Sequence, residues 1–213
     1  MPKQNRDGLE GARCIPWMHY ALRALHQWFE HDEPGSKALW EGNTDRVRNW
    51  MWFYRIARNY PGLQSHIGRL VVAARNNGNA IKDMQGTDSA LVQAVREIAR
   101  TVDDGRPRVS AASKLLYLAQ PELGVIYDRN ACLALGLPAQ VDYAQFLRRW
   151  NGAFAEKESQ IRKGLAATVG LPDEAFPLSL ADAGRCRRLL KERWFARRVF
   201  DIHLWHEGAQ ADR

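Results

Sequence analysis

Cysteine is scarce in this chain: Cys14, Cys132 and Cys186 are three in number, odd, and far apart in 213 residues. No disulfide framework and no metal-ligand spacing follows from them, so the expected compartment is a reducing cytoplasm. There is no CxxC, no phosphate-cradling GxxxxGK, and no telling spacing of Ser, His and Asp. His203 and His206 lie three apart on a helical stretch without a third ligand at a useful distance, so no metal or other cofactor is expected. No apolar run approaches the roughly 18 residues of a membrane span. The opening segment MPKQNRDGLEG is polar and has no apolar h-region, so export is not expected either. No convincing strand and no internal repeat is visible.

What the chain does have is helical periodicity and basic charge. Hydrophobic residues make up 46% and charged residues 26%, a globular balance. The net charge is +7, with arginine supplying most of the excess. Arginine is the residue suited to phosphate recognition, which moves the reading modestly toward nucleic acid. The length suits one domain with a sizeable core, or two small lobes meeting at residues 110–128.

Taken in order, residues 17–31 predict a first helix after a mobile start, and DEPGSKALWEGN, with its breakers, predicts a loop. Thr44 and Asp45 cap a second helix through Tyr60, with Val47, Trp50, Phe53, Tyr54 and Ala57 as its buried stripe. Trp52 falls off that stripe between Arg48 and Arg55. Packing on a neighbouring helix is the ordinary reading of it, and base stacking beside arginine is the functional one. Helices follow over 61–76 and 88–102, then the basic turn DDGRPR. Beyond Asp128 a short helix ends near Gly136, and Asp142 caps a long one with Phe146, Trp150 and Phe154 inside. A breaker-rich connector leads to a last helix over 185–207, whose first half carries seven basic residues against one acid. The expected fold is all-α.

The stretch SAASKLLYLAQPELGVIYD, residues 110–128, organises the rest. Ser110 is a good N-cap, and Pro121 with Gly124 ends the helix and turns the chain back. At about 100° per residue, Ala112, Leu115, Leu116 and Ala119 form a core stripe. Lys114 points the other way, beside Ser110, Ala111, Tyr117 and Leu118, across a partly apolar surface. Seven extended residues reach roughly 23 Å, whereas the helix from Lys114 to Gln120 rises only about 9 Å. Asp128, which should open the next helix, can therefore return level with Lys114. The ordinary readings are a helix N-cap for Asp128 and a solvated surface lysine for Lys114.

This helix, turn and aspartate segment resembles that of the helix-hairpin-helix DNA glycosylases, and in particular the bacterial 8-oxoguanine-DNA-glycosylase-like proteins. WFARRVFDIHLWHEG, residues 194–208, is similar to their closing helix. The hairpin here reads DDGRPRVS where the better-known members carry a Gly-x-Gly turn, and Lys114 stands one helical turn later than their lysine. The resemblance implies a DNA-binding helical bundle that flips a base from duplex DNA and cleaves its N-glycosidic bond, with Lys114 and Asp128 as catalytic residues. Arg106, Arg108 and Ser110 in the hairpin, Tyr127 and Arg129 around Asp128, and Trp52 are the residues assigned to nucleic acid. Tyr117 and Trp150 are further candidate pocket walls. The alternatives are a non-catalytic DNA-binding protein of the same fold and a HEPN-type ribonuclease, whose Arg-x-x-x-x-x-His pattern Arg197, Arg198 and His203 resemble.

Overall fold

The fold, taken from a computed structural model, is described for residues 6–56, 63–101, 108–177 and 181–211, with side chains from residue 16 onward. All regular structure among them is helical, as the periodicity requires. No helix among the described residues is long and apolar enough to cross a membrane.

Helix α1 (Arg6–Gln27) starts well before the expected position and runs through a π turn (Trp28–Asp32) into α2 (Glu33–Glu41). The expected loop over 32–43 is thus helical. Pro34 explains the geometry. It has no N–H for the carbonyl one turn back, and its ring crowds that carbonyl. The helix widens there, with the Glu33 N–H bonded to the Trp28 carbonyl, and resumes with Pro34 in the first turn of α2, where a missing N–H is tolerated.

Helix α3 (Thr44–Phe53) is capped by Asn43, whose side chain accepts from the Arg46 N–H at 3.1 Å, rather than by Thr44 or Asp45. It stops short of Tyr60 because Arg55 turns left-handed, at φ 56°, and the Ile56 N–H reaches back to Met51. Phe53 is consequently exposed, and Met51 takes a core place instead. Ala57 and Tyr60 lie outside the described residues. Helix α4 (Leu63–Asp83) runs past the expected end at Asn76, because Gly78 and Ile81 continue its buried face. Helix α5 (Asp88–Arg100) is capped by Thr87.

Helix α6 (Val109–Ala119) is the centre. Every side chain from Ala111 to Ala119 is buried, where one stripe was expected, because α2, α4 and α5 all pack on it. Ser110 is not its cap: the helix starts at Val109, with the Ala112 N–H bonded to the Arg108 carbonyl. Helices α7 (Arg129–Ala134) and α8 (Tyr143–Val169) follow as expected, capped by Asp128 and Asp142. A 3-10 turn (Asp173–Ala175) lies in the connector.

The last expected helix is two, α9 (Ala183–Lys191) and α10 (Phe195–Ala211). In one continuous helix Phe195 would stand nine residues, about 180°, from Cys186. Both are buried, so the break at Glu192 is what lets each half turn its apolar stripe inward. Helix α10 lies against α7, α1 and α8. Its approach to α7 requires Gly208, where a Cβ would sit 1.9 Å from the Asn130 carbonyl oxygen.

Candidate functional site

The register between Lys114 and Asp128 is set by the residue before each. The Ser113 hydroxyl accepts from the Tyr127 N–H at 3.0 Å and donates to the Ser110 carbonyl at 3.1 Å. The return segment is also pressed flat on α6: a Cβ on Gly124 would meet Tyr117 Cα at 2.5 Å, which leaves room only for glycine. Further along, Val125 accepts from the Tyr143 hydroxyl at 2.9 Å, and the Tyr127 hydroxyl accepts from the Val141 N–H at 3.0 Å. Asp128 then caps α7 as expected, its Oδ1 accepting from the Ala131 N–H at 2.8 Å.

Lys114 is buried, with 8% of its surface exposed, rather than looking out across a surface. Burial depresses its ammonium below the ordinary lysine value; the Asp128 carboxylate works against that shift, and the Arg198 guanidinium adds to it. The buried lysine and the half-buried capping aspartate therefore interact electrostatically.

Behind this pair lies a polar centre that the sequence did not reveal. Asp32, fully buried at the end of the π turn, accepts four hydrogen bonds. Its Oδ1 takes Trp50 Nε1 at 3.2 Å and the Tyr54 hydroxyl at 2.5 Å. Its Oδ2 takes the Tyr117 hydroxyl at 3.0 Å and Arg198 Nη2 at 2.9 Å. Arg198 also donates to the Tyr54 hydroxyl at 2.5 Å, and its guanidinium lies 5.0 Å above the Tyr117 ring. Burial pushes both tyrosine phenols well above their ordinary values. It opposes the charge on Arg198, but Asp32, Tyr117, Tyr54 and Asp201 together outweigh it, and the guanidinium stays firmly protonated. One turn further along α10, Asp201 is buried and accepts from Trp150 Nε1 at 2.8 Å. Burial raises its carboxyl to about 7, against the pull of Arg198, Trp150 and Arg197.

The residues assigned to nucleic acid divide into groups. Arg106 lies outside the described residues. Arg108 and Ser110 are half-buried at the start of α6, and Arg129 is exposed at the start of α7. Tyr127 is buried against Tyr143 and Phe146, so its ring is a packing element rather than an open platform. Tyr117 and Trp150 are likewise fully buried. Trp52 is 54% exposed on α3, off its buried stripe and not packed away against a neighbouring helix.

The basic run over 185–198 is largely engaged within the fold. Arg185 pairs with Glu33, and Arg187 pairs with Asp173 and donates to the Leu171 carbonyl. Arg197 lies over Trp150, Arg198 is committed to Asp32, and only Arg188, Lys191 and Arg193 of the run are exposed outside such pairings. His203 is surrounded by Trp17, Tyr20 and Phe200. No group of three His, Cys, Asp or Glu among the described residues is placed to hold a metal ion. A groove of about 640 Å³ between α5 and α8 is lined by Arg96, Arg100 and Arg148 with Asp88 and Glu97, and includes neither Lys114 nor Asp128.

The described residues are thus all-helical in their regular structure, with a buried amine that feels both a helix-capping carboxylate and a buried guanidinium. No protein-family model, curated protein or solved structure matches the chain.

Proposed function

We propose that the chain is a helix-hairpin-helix glycosylase-like protein of the cytoplasm that binds duplex DNA and excises a damaged or modified base. The observation that carries this reading is the Ser113 register, which sets a buried lysine with a depressed ammonium in the field of the Asp128 carboxylate. An amine attacks carbon only when neutral, and burial favours that form. Its lone pair bonds to the anomeric carbon as the bond from that carbon to the base breaks. The base nitrogen keeps the electron pair and takes a proton from water, while Asp128 offsets the positive charge developing on the sugar. The amine then loses a proton, and the ring opens to a Schiff base as its oxygen is protonated. Strand cleavage by elimination can follow. Arg108, Ser110 and Arg129, around the starts of α6 and α7, are the phosphate contacts in this reading, and Trp52 is the stacking platform.

One observation favours a second reading, a DNA-binding protein without catalysis: at 8% exposure, Lys114 meets a sugar only after neighbouring side chains move aside. Base release from lesion-bearing duplexes separates the two. Lys114→Gln abolishes release in the first reading while duplex affinity stays within a few fold. Asp128→Asn slows release but retains a competent N-cap. A wild type that binds duplex DNA and releases no base supports the second reading.

A further inference from the structure

His31 and Asp32 close the π turn, while Phe53 ends α3 and Tyr54 follows it. These two pairs of neighbours meet twice. On the inside, Asp32 Oδ1 accepts from the Tyr54 hydroxyl at 2.5 Å. On the outside, the His31 ring stacks on Phe53, with centroids 3.6 Å apart and planes at 26°. Tyr54 meets Phe53 at 83°, which holds the phenyl from a second side. Gln27 and Arg198 both donate to the Tyr54 hydroxyl, so the corner is also tied to α1 and α10. Phe53 is thus held in place, yet it is 45% exposed, next to Trp52 at 54%. Single exposed apolar residues need no explanation, but two adjacent aromatic rings, one of them braced from inside, form a surface that calls for a ligand.

The surroundings say which ligand. Arg46, Asn49 and Phe53 stand at i, i+3 and i+7, an exposed row along α3. Arg55 sits in the left-handed turn at φ 56°, which glycine adopts without penalty, yet the residue there is an arginine. The Arg46 and Arg55 side chains are exposed, and no described residue engages either one. The nearby acids are answered within the fold: Asp45 by Arg48 at 2.9 Å, and Glu30 by His26 and His31 at 3.0 and 3.4 Å. Trp50 faces inward, where a Cβ on Gly35 would meet both its ring and Leu118 of α6. Trp52 lies about 200° round the helix from it, so a base stacked on Trp52 is not the one presented to Lys114.

We propose that the end of α3 is a second nucleic-acid site, one for unpaired bases, in which Trp52 and the braced Phe53 stack on bases and Arg46 and Arg55 meet the phosphates beside them. Every base has a π face, so such a platform tolerates any sequence, but it needs bases that are out of the helix stack. A duplex offers these only where it opens, at a lesion pair, a nick or an end. The ligand class is therefore a single-stranded stretch of nucleic acid. That the stretch is DNA rests on the base-excision reading; the stacking itself does not.

The test is the affinity of the full chain, at low salt, for short labelled strands: oligo-dT, the same backbone without its bases, and oligo-rU. Oligo-dT should bind about tenfold or more tighter than the abasic strand, which carries the phosphates alone. Trp52→Ala with Phe53→Ala removes that preference and leaves affinity for the abasic strand unchanged. Arg46→Gln with Arg55→Gly, which keeps the left-handed turn, weakens both strands alike. If the aromatic pair of substitutions costs helical circular dichroism, Trp52→Ala alone is read in its place. Of oligo-dT and oligo-rU, the one that binds more tightly and loses more in the aromatic variant identifies the ligand as DNA or RNA. Equal affinity for the dT and abasic strands overturns the proposal, as does an aromatic variant that keeps the preference. So does an aromatic variant that only dissociates a dimer in sedimentation, which gives the face to a second copy. A dT preference that depends on Trp52 and Phe53, in a protein that releases no base, sinks the excision reading alone. Base release by a protein without that preference sinks the α3 site alone.

Discussion

Trp50 and Trp52 are two residues apart on α3, yet Trp50 is 4% exposed and Trp52 is 54% exposed. The first donates to Asp32 in the buried centre; the second stands beside Phe53, itself 45% exposed, on the outside. Two residues is a rotation of about 200°, so a helix necessarily sends such neighbours to opposite faces. Tyr54 joins the two regions, touching Phe53 edge to face and bonding Asp32 and Arg198. The contrast shows that aromatic residues interleaved with arginine have no single meaning. In the centre they satisfy a buried carboxylate and lock a cation. At the end of α3 Trp52 faces outward, and Phe53 stacks on His31.

The widest gap between the regions is in stability. Asp32→Ala or Arg198→Ala leaves the other charge buried without its partner, and each is expected to cost about 3–5 kcal/mol in urea unfolding. Removing both charges together in Asp32→Asn with Arg198→Met recovers a large part of that loss. Single variants costing less than about 1 kcal/mol place the centre on the same footing as an exposed salt bridge, and the contrast with the surface disappears.

A pH dependence belongs to the centre as well. Asp201 ionises near 7 in the folded protein, above the ordinary carboxylate value it has when unfolded. The folded state thus holds the proton more tightly. The stability this confers is full below about pH 4 and is lost as pH rises through about 7. His203 pulls the opposite way, since burial lowers its pKa and its protonation favours unfolding. The informative quantity is therefore the wild-type profile minus that of Asp201→Asn, which should decline from pH 5 to 8. A flat difference shows Asp201 ionised throughout.

The smallest effect on folding, and the one aimed at function, is at Trp52. Trp52→Ala should change stability by no more than about 0.5 kcal/mol, as substitutions of exposed side chains do. Duplex DNA affinity, measured at low salt, should weaken by about 1–3 kcal/mol if a base stacks there. Unchanged affinity removes Trp52 from the interface.

Much of this was legible in the sequence and some was not, for identifiable reasons. The helical period, the aspartate caps of α7 and α8, and the return of Asp128 toward Lys114 all rest on local chemistry. Asp32 was hidden because Pro34 and Gly35 read as loop, which took it off any helical face. Carrying the helix through Pro34 sets Asp32 three residues after Phe29 on its apolar side. The split of α9 from α10 was readable in the phase of Cys186 against Phe195. The burial of Lys114 was not, because α6 is covered by α2, α4 and α5, and no local signal in residues 110–128 shows that packing.

The claim at the centre of this account is that the Lys114 amine attacks a sugar. Borohydride added while the protein acts on lesion-bearing duplex DNA reduces the Schiff base and fixes protein to DNA. The account predicts a covalent adduct whose attachment maps by peptide mass spectrometry to Lys114 and which is missing in Lys114→Gln. An adduct at another residue, or one that persists in Lys114→Gln, contradicts it.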